Sequence, residues 1–236
     1  VITLRKLASL PEGTRGRKLL TLLAQQHEPL YEAGLIEQAR TLLGKPPPCT
    51  VPLLRQQLAL YLGVETADWD LQAPPDRQGP VTRFPFSVYL DDLRSPFNVG
   101  SLLRTAEAYG FEAVYPSLLT PGLSHPRTKR TAMGAEVHLS VEAVSLAQLR
   151  QRWAGPVFAL ELGGTPVEAF PFPREGLVLV GGEELGLSPE ALEWADGSAG
   201  RVSLPLYGRK ASLNVGVAFG ILSAAWTQAV LSRTAG

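Results

Sequence analysis

Three short stretches of this 236-residue chain hold residues whose types and spacing could do chemistry. In "DDLRSPFNVGSLLRTAEAYGF" (91–111), Asn98 is placed to cap a helix that carries Arg104. The plain structural role for that arginine is an ion pair with Glu107 one turn on. In "LVLVGGEELGLSPE" (177–190), four apolar residues run into Gly181 and Gly182, then Glu183, then Gly186, then a Ser188-Pro189 helix start. Glycines let backbone approach a ligand where a side chain would clash. The two carboxylates of that turn suit pyrophosphate poorly, and suit a ligand with hydroxyls and a positive centre better. A tight structural turn explains the same residues. In "RKASLNVGVAFG" (209–220), either Ser212 or Asn214 can satisfy the orphan N–H groups of a helix entry. Gly216 and Gly220, with Ala224 one turn later, form a row of small residues. Interior glycine costs a helix about 0.8–1 kcal/mol relative to alanine, so close packing is expected there, either on a second copy's helix or on the protein's own sheet.

The elements that must position these residues alternate. Strands are predicted at 84–90, "FEAVYP" (111–116), "EVHLS" (136–140), 156–160, 177–181 and 201–206. Helices are predicted at 98–110, 145–153, 188–194 and 212–232, with a loop through 124–130. This alternation predicts an α/β domain with a mostly parallel sheet. The carboxyl edge of such a sheet is where α/β proteins bind small molecules. Residues 1–68 read instead as a helical unit. "RKLLTLLAQQ", "LIEQARTLLG" and "VPLLRQQLALYLG" carry apolar residues at helical spacing, the second stopped by Gly44 and a proline run and the third by Gly63. The Pro- and Gly-rich stretch 69–82 reads as a linker to a second domain at 83–236.

Composition narrows the classes. The chain has 22 Lys and Arg against 22 Asp and Glu, so any polyanion site must be a local patch. The acid-free stretches 121–134 and 197–212 offer Arg127, Lys129, Arg130, Arg209 and Lys210. A single cysteine, Cys49, excludes an internal disulfide framework and a thiolate metal cluster. His27, His125 and His138 are scattered, so no metal is expected. The apolar run 213–230 is long, but its Asn, Ser, Thr, Gln and Gly residues favour a buried helix over a membrane span. A reduced, cytoplasmic, soluble protein is expected.

Taken in order, the three stretches resemble the three motifs of the SpoU-type (TrmH-like) RNA 2′-O-ribose methyltransferases of the SPOUT superfamily. Asn98, Gly100 and Arg104 resemble the first. Gly181, Glu183, Gly186, Leu187 and Ser188 resemble the second, and Pro205, Ser212, Leu213, Asn214 and Val215 the third. "KRTAMGAEVHLSV" (129–141) resembles an intervening segment, with Ala132 where serine is frequent. Glu184 and Gly216 depart from the usual glycine and serine. The resemblance covers about residues 84–232.

The resemblance implies a domain knotted as a deep trefoil, S-adenosylmethionine as cofactor, and a homodimer with sites at its interface. It implies that Arg104, Asn98, Glu183, Ser212 and Asn214 serve catalysis. It further implies that the cofactor is held around Leu160, Glu161, Leu162, Gly163, Leu179, Val180, Gly181, Gly182, Glu183, Gly186, Leu204, Leu206 and Leu213. The substrate would be tRNA or rRNA, with the helical N-terminal unit as a recognition module. Two other readings stay open: methylation of a base rather than a ribose, and a non-catalytic RNA-binding protein that keeps the fold.

Overall fold

The computed structural model describes residues 2–25, 28–44, 50–64, 79–182 and 184–234. The expectations for His27, Cys49, Glu183 and the 69–78 part of the linker lie outside these. The chain divides into two compact units, Val1–Arg77 and Gln78–Gly236.

Among its described residues the first unit has four helices, α1 (Leu4–Ala8), α2 (Glu12–Leu22), α3 (Pro29–Leu43) and α4 (Val51–Tyr61). The short α1 escaped the sequence pattern because five residues cannot display a helical repeat. Leu7, Leu19, Leu35, Leu54 and Leu58 form the core. Gly44 ends α3 in the left-handed conformation (φ 65°), which a residue without Cβ adopts at little cost.

The second unit is a six-stranded sheet in the order β3-β2-β1-β5-β4-β6. All its ladders are parallel. The strands are β1 (Phe86–Asp91), β2 (Ala113–Pro116), β3 (Ser140–Val141), β4 (Val157–Pro166), β5 (Gly176–Gly181) and β6 (Gly200–Ser203). β1 and β5 lie side by side in the centre and are buried along almost their whole length, as expected for strands covered on both faces. The helices are α5 (Pro96–Ala108), α6 (Pro126–Ala132), α7 (Leu146–Arg152), α8 (Pro189–Asp196) and α9 (Val215–Thr234).

Residues 124–130, expected as a loop, hold the greater part of α6. Pro126 occupies its first turn, and the His125 ring accepts from the Arg127 amide at 3.2 Å. The strand expected over "EVHLS" is a 3-10 turn at Ala135–Val137 followed by the two-residue β3. Met133 (φ 53°) and Gly134 (φ 91°) reverse the chain there, leaving little length for a strand.

Helix α9 sits on the core through Phe219, Leu222 and Trp226, all fully buried. The Trp226 indole stacks on Phe86 at 3.9 Å and donates to the Pro173 carbonyl at 2.7 Å. By length and composition α9 could cross a membrane. It is not buried all round, however: Val217, Ile221 and Leu231 are each about half exposed, at 53, 44 and 46%. The two glycines of the small-residue row are directed at a helix of the same chain rather than at the sheet. A Cβ on Gly216 would lie 3.1 Å from the Ser101 hydroxyl, and one on Gly220 would lie 4.0 Å from the Thr105 methyl. Both glycines therefore face α5 of the same chain; Gly216 lets the two helices approach, whereas a Cβ at Gly220 would make only ordinary contact.

Candidate active site

The strand ends and the turn after β5 build a cavity of about 650 Å³, within the usual range for small-molecule sites. Its walls include Leu160, Glu161, Leu162, Val180, Gly181, Gly182, Gly186, Leu204, Leu206, Ser212 and Leu213. Most of the residues assigned to the cofactor are thus brought together. Leu179 is not, because its side chain points to the opposite face of the sheet, among Tyr89, Leu177 and Ala191. Gly163 lies outside the wall at the irregular end of β4 (φ 74°).

Backbone makes the turn. Gly182 and Gly186 exchange two hydrogen bonds of 3.1 and 3.0 Å. A Cβ on Gly181 would sit 2.2 Å from the Gly186 carbonyl carbon. Gly186 itself is left-handed (φ 68°), and a Cβ there would meet the Glu161 carboxylate at 3.0 Å. That carboxylate accepts from the Leu162 amide at 2.9 Å and, more weakly, from the Leu187 amide at 3.4 Å. One acidic side chain therefore braces both sides of the cavity. Asp91 anchors the end of the turn by accepting from the Ser188 amide at 2.8 Å, and Ser188 caps α8. Glu184 reaches Arg94 at 2.9 Å, but both side chains are largely exposed, so the pair contributes little.

Sequence reasoning missed Arg201, Leu192, Ala211 and Ala218 in the wall. Nothing in their local pattern marks them. The Arg201 guanidinium bonds the Asp196 carboxylate, with Nε to Oδ1 at 2.7 Å. This bond holds the Asp196 carboxyl below its ordinary range.

The polar rim is carried by helices. Ser95, not Asn98, caps α5: its hydroxyl accepts from the Asn98 amide at 3.3 Å. The Ser95-Pro96 pair is the same entry signature as Ser188-Pro189. Asn98 is released from capping and instead accepts from the Asn214 side-chain amide at 3.1 Å. Asn214 is the residue that satisfies the α9 entry, accepting from the Gly216 and Val217 amides at 3.0 and 3.4 Å. Using its oxygen this way turns its amino group toward Asn98. Ser212 is exposed on the cavity wall.

Arg104 is exposed on α5 and outside the cavity wall. Its expected partner Glu107 is paired with Arg83 at 3.3 Å. Arg104 donates to the Met133 sulfur at 2.8 Å. Arg127, Lys129 and Arg130 are exposed on α6, and the Arg127 guanidinium lies 5.6 Å from the Phe97 ring centre. Arg209 and Lys210 are exposed in the segment between β6 and α9. Among the described residues no His, Cys, Asp and Glu cluster could hold a metal ion.

Residues 85–224 match the family model described as the SpoU rRNA methylase family. The chain is 31% identical over 139 residues to the 23S rRNA (guanosine(2553)-2′-O)-methyltransferase RlmP of Bacillus subtilis, covering 57% of this chain and 55% of that protein. It is 29% identical over 167 residues to the 23S rRNA (uridine(2479)-2′-O)-methyltransferase of Streptomyces viridochromogenes, covering 66% and 57%. The chain spans little more than half the length of these relatives. The SpoU methyltransferase AviRb from Streptomyces viridochromogenes superposes with a TM-score of 0.59 at 26% identity, over 65% of this chain and 63% of that one. An AdoMet-bound rRNA methyltransferase from Sinorhizobium meliloti superposes with a TM-score of 0.56 at 27% identity, over 62% and 57%. The family match takes in the central strands, the glycine turn and the Asn214 entry, and the chain belongs to the SpoU rRNA methylase family.

Proposed function

We propose that this chain is an S-adenosylmethionine-dependent RNA methyltransferase acting on a ribose 2′-hydroxyl. One observation carries the reading. The segment that enters α9 lines the glycine-walled cavity through Ser212, Leu213 and, at the first helical residue, Val215, and through Asn214 it is bonded to Asn98 on the helix that carries Arg104.

The cavity fits the cofactor in kind. Apolar walls from Leu160, Leu204, Leu206 and Leu213 suit adenine, the open backbone of Gly181, Gly182 and Gly186 suits a close-lying ribose, and the Glu161 and Glu184 carboxylates suit a cation. The cofactor supplies an electrophilic methyl group, so the protein's tasks are to position the acceptor and handle one proton. Asn98, Ser212 and Asn214 orient the substrate at the mouth, with Glu183 as the resemblance places it. A guanidinium is a donor at neutral pH, not a base. Arg104 therefore stabilises the developing alkoxide and grips a neighbouring phosphate.

Arg104 lies outside the cavity wall, and α9 exposes Val217, Ile221 and Leu231. Both features support a homodimer in which α9 packs against a second copy and the site is completed across the interface. The passage from β6 to α9 by way of 204–214 is the segment that would thread the knot. Lys and Arg on α6 and at 209–210 form the RNA patch. The N-terminal unit exposes Arg5, Lys6, Arg17 and Lys18 on α1 and α2, which supports its reading as an RNA-recognition module. The relatives' names favour ribosomal over transfer RNA, and a soluble, cytoplasmic enzyme.

The test is transfer of tritium from methyl-labelled adenosylmethionine to bulk unmodified RNA, followed by nucleoside analysis. A 2′-O-methylated nucleoside is expected. A methylated base would replace the ribose reading. Cofactor binding with no transfer to either ribosomal or transfer RNA would leave an RNA-binding protein.

A further inference from the structure

We propose that Met133 is a positioning residue for Arg104. Its thioether holds the guanidinium in one place without neutralising it before RNA arrives. The inference rests on the reading of Arg104 as the group that meets the reacting ribose.

An exposed arginine has many rotamers, and ordering it costs conformational entropy. A carboxylate partner would order Arg104, but it would also cancel its charge and compete with the phosphate. The nearest such partner by helical spacing, Glu107, is taken by Arg83, which also donates to the Phe111 carbonyl at 3.0 Å. Among the described residues Arg104 makes no ion pair. Its Nη1 points at the Met133 Sδ, in direct contact, and donates to it. A thioether is a weak acceptor, whereas an anionic oxygen forms a strong charge-assisted bond with a guanidinium. Exchange of sulfur for a phosphate or alkoxide oxygen is therefore downhill, and the clasp orders the cation yet releases it.

The scaffold holds the sulfur still. Helix α6 is clamped on α5 at Gly100, where a Cβ would fall 2.5 Å from the Thr128 carbonyl oxygen. The clamp lies one turn before Arg104 on one helix, and on the other it runs from Thr128 to the Ala132 amide, 2.9 Å from that Cβ and next to Met133. Met133 then ends α6 in a left-handed conformation (φ 53°), where glycine is the usual occupant. The chain's single methionine thus stands against local backbone preference at the point where its side chain reaches Arg104.

The single methionine makes the test direct. Labelling with [13CH3]-methionine yields one Met resonance from this sequence. Arg104→Ala should move that resonance, and Arg150→Ala, on α7, should not. Norleucine in place of methionine keeps the shape and removes the acceptor, and Met133→Leu is a second, genetically encoded version. In both, circular dichroism and calorimetric cofactor affinity should be unchanged. Turnover on unmodified 23S rRNA transcripts should fall about 10-fold with KM for RNA held, a part of the 100–1000-fold expected for removing an electrostatic donor outright. A resonance that Arg104→Ala leaves in place overturns the contact. A moved resonance with wild-type kcat in the norleucine protein overturns the positioning role. If Arg104→Ala itself keeps full turnover, it is the catalytic reading of Arg104 that fails, and the role of Met133 falls with it.

Discussion

The cavity wall and the helical rim beside it are built by different means. The glycine turn of the wall is backbone: Gly181, Gly182 and Gly186 close it through main-chain hydrogen bonds, and a Cβ on Gly181 would overlap the Gly186 carbonyl. The rim is side chains: Asn98 and Arg104 on α5, Asn214 at the α9 entry, and Arg127, Lys129 and Arg130 on α6, all partly or wholly exposed. A wall of backbone tolerates no extra bulk but is indifferent to subtle chemistry. A rim of exposed side chains accepts changes of size and depends on which polar group is presented. The two regions should therefore fail differently.

The sharpest break comes from the wall. Gly186→Val places a β-branched residue in the left-handed region, where such residues are outliers, and drives a methyl into the Glu161 carboxylate. Cofactor binding should disappear by calorimetry while the α/β circular dichroism remains. Unchanged affinity in a folded protein would remove the turn from the cofactor site. On the rim, Arg104→Ala should keep the cofactor and lower turnover by about 100–1000-fold. Arg104→Lys should also fail, because an ammonium lacks the planar fork. Near-normal rates in either would make the rim as passive as an ordinary surface.

Two smaller effects refine the contrast. Val217→Asp with Ile221→Asp places charges on the exposed face of α9 and leaves the cavity lining and the α5 contact untouched. The protein should sediment as a monomer and lose turnover while still binding cofactor. A persistent dimer would move the interface elsewhere. The smallest expected change is in the triple variant Arg127, Lys129 and Arg130→Ala. Each phosphate that is no longer neutralised should reduce the salt slope of RNA binding by about 0.7–0.9. An unchanged slope would exclude α6 from the footprint.

Features that a few neighbouring residues determine were legible in the chain. The apolar runs of β1 and β5 and the glycines after β5 marked central strands and a ligand-facing turn, because burial and backbone freedom are recorded in residue type. Ser188-Pro189 marked a helix start, and Ser95-Pro96 carried the same mark at α5, although Asn98 drew the assignment. Helix α6 was lost because seven residues show too little of a helical repeat to stand out from a loop.

The pairings between distant elements were settled only by packing. The sequence alone pointed to a close neighbour for the small residues of α9, but not to Ser101 on α5, the neighbour that Gly216 meets. It placed Glu107 within reach of Arg104, but Arg83 holds Glu107 from 24 positions away and leaves the guanidinium to the sulfur of Met133. It offered Ser212 and Asn214 equally as caps, and the hydrogen bonds chose Asn214 and turned its amino group toward Asn98. Local conformation follows from sterics and hydrogen bonding within a few residues. Which exposed polar group meets which depends on how the helices dock on the sheet, and that is decided by the shape of the whole core.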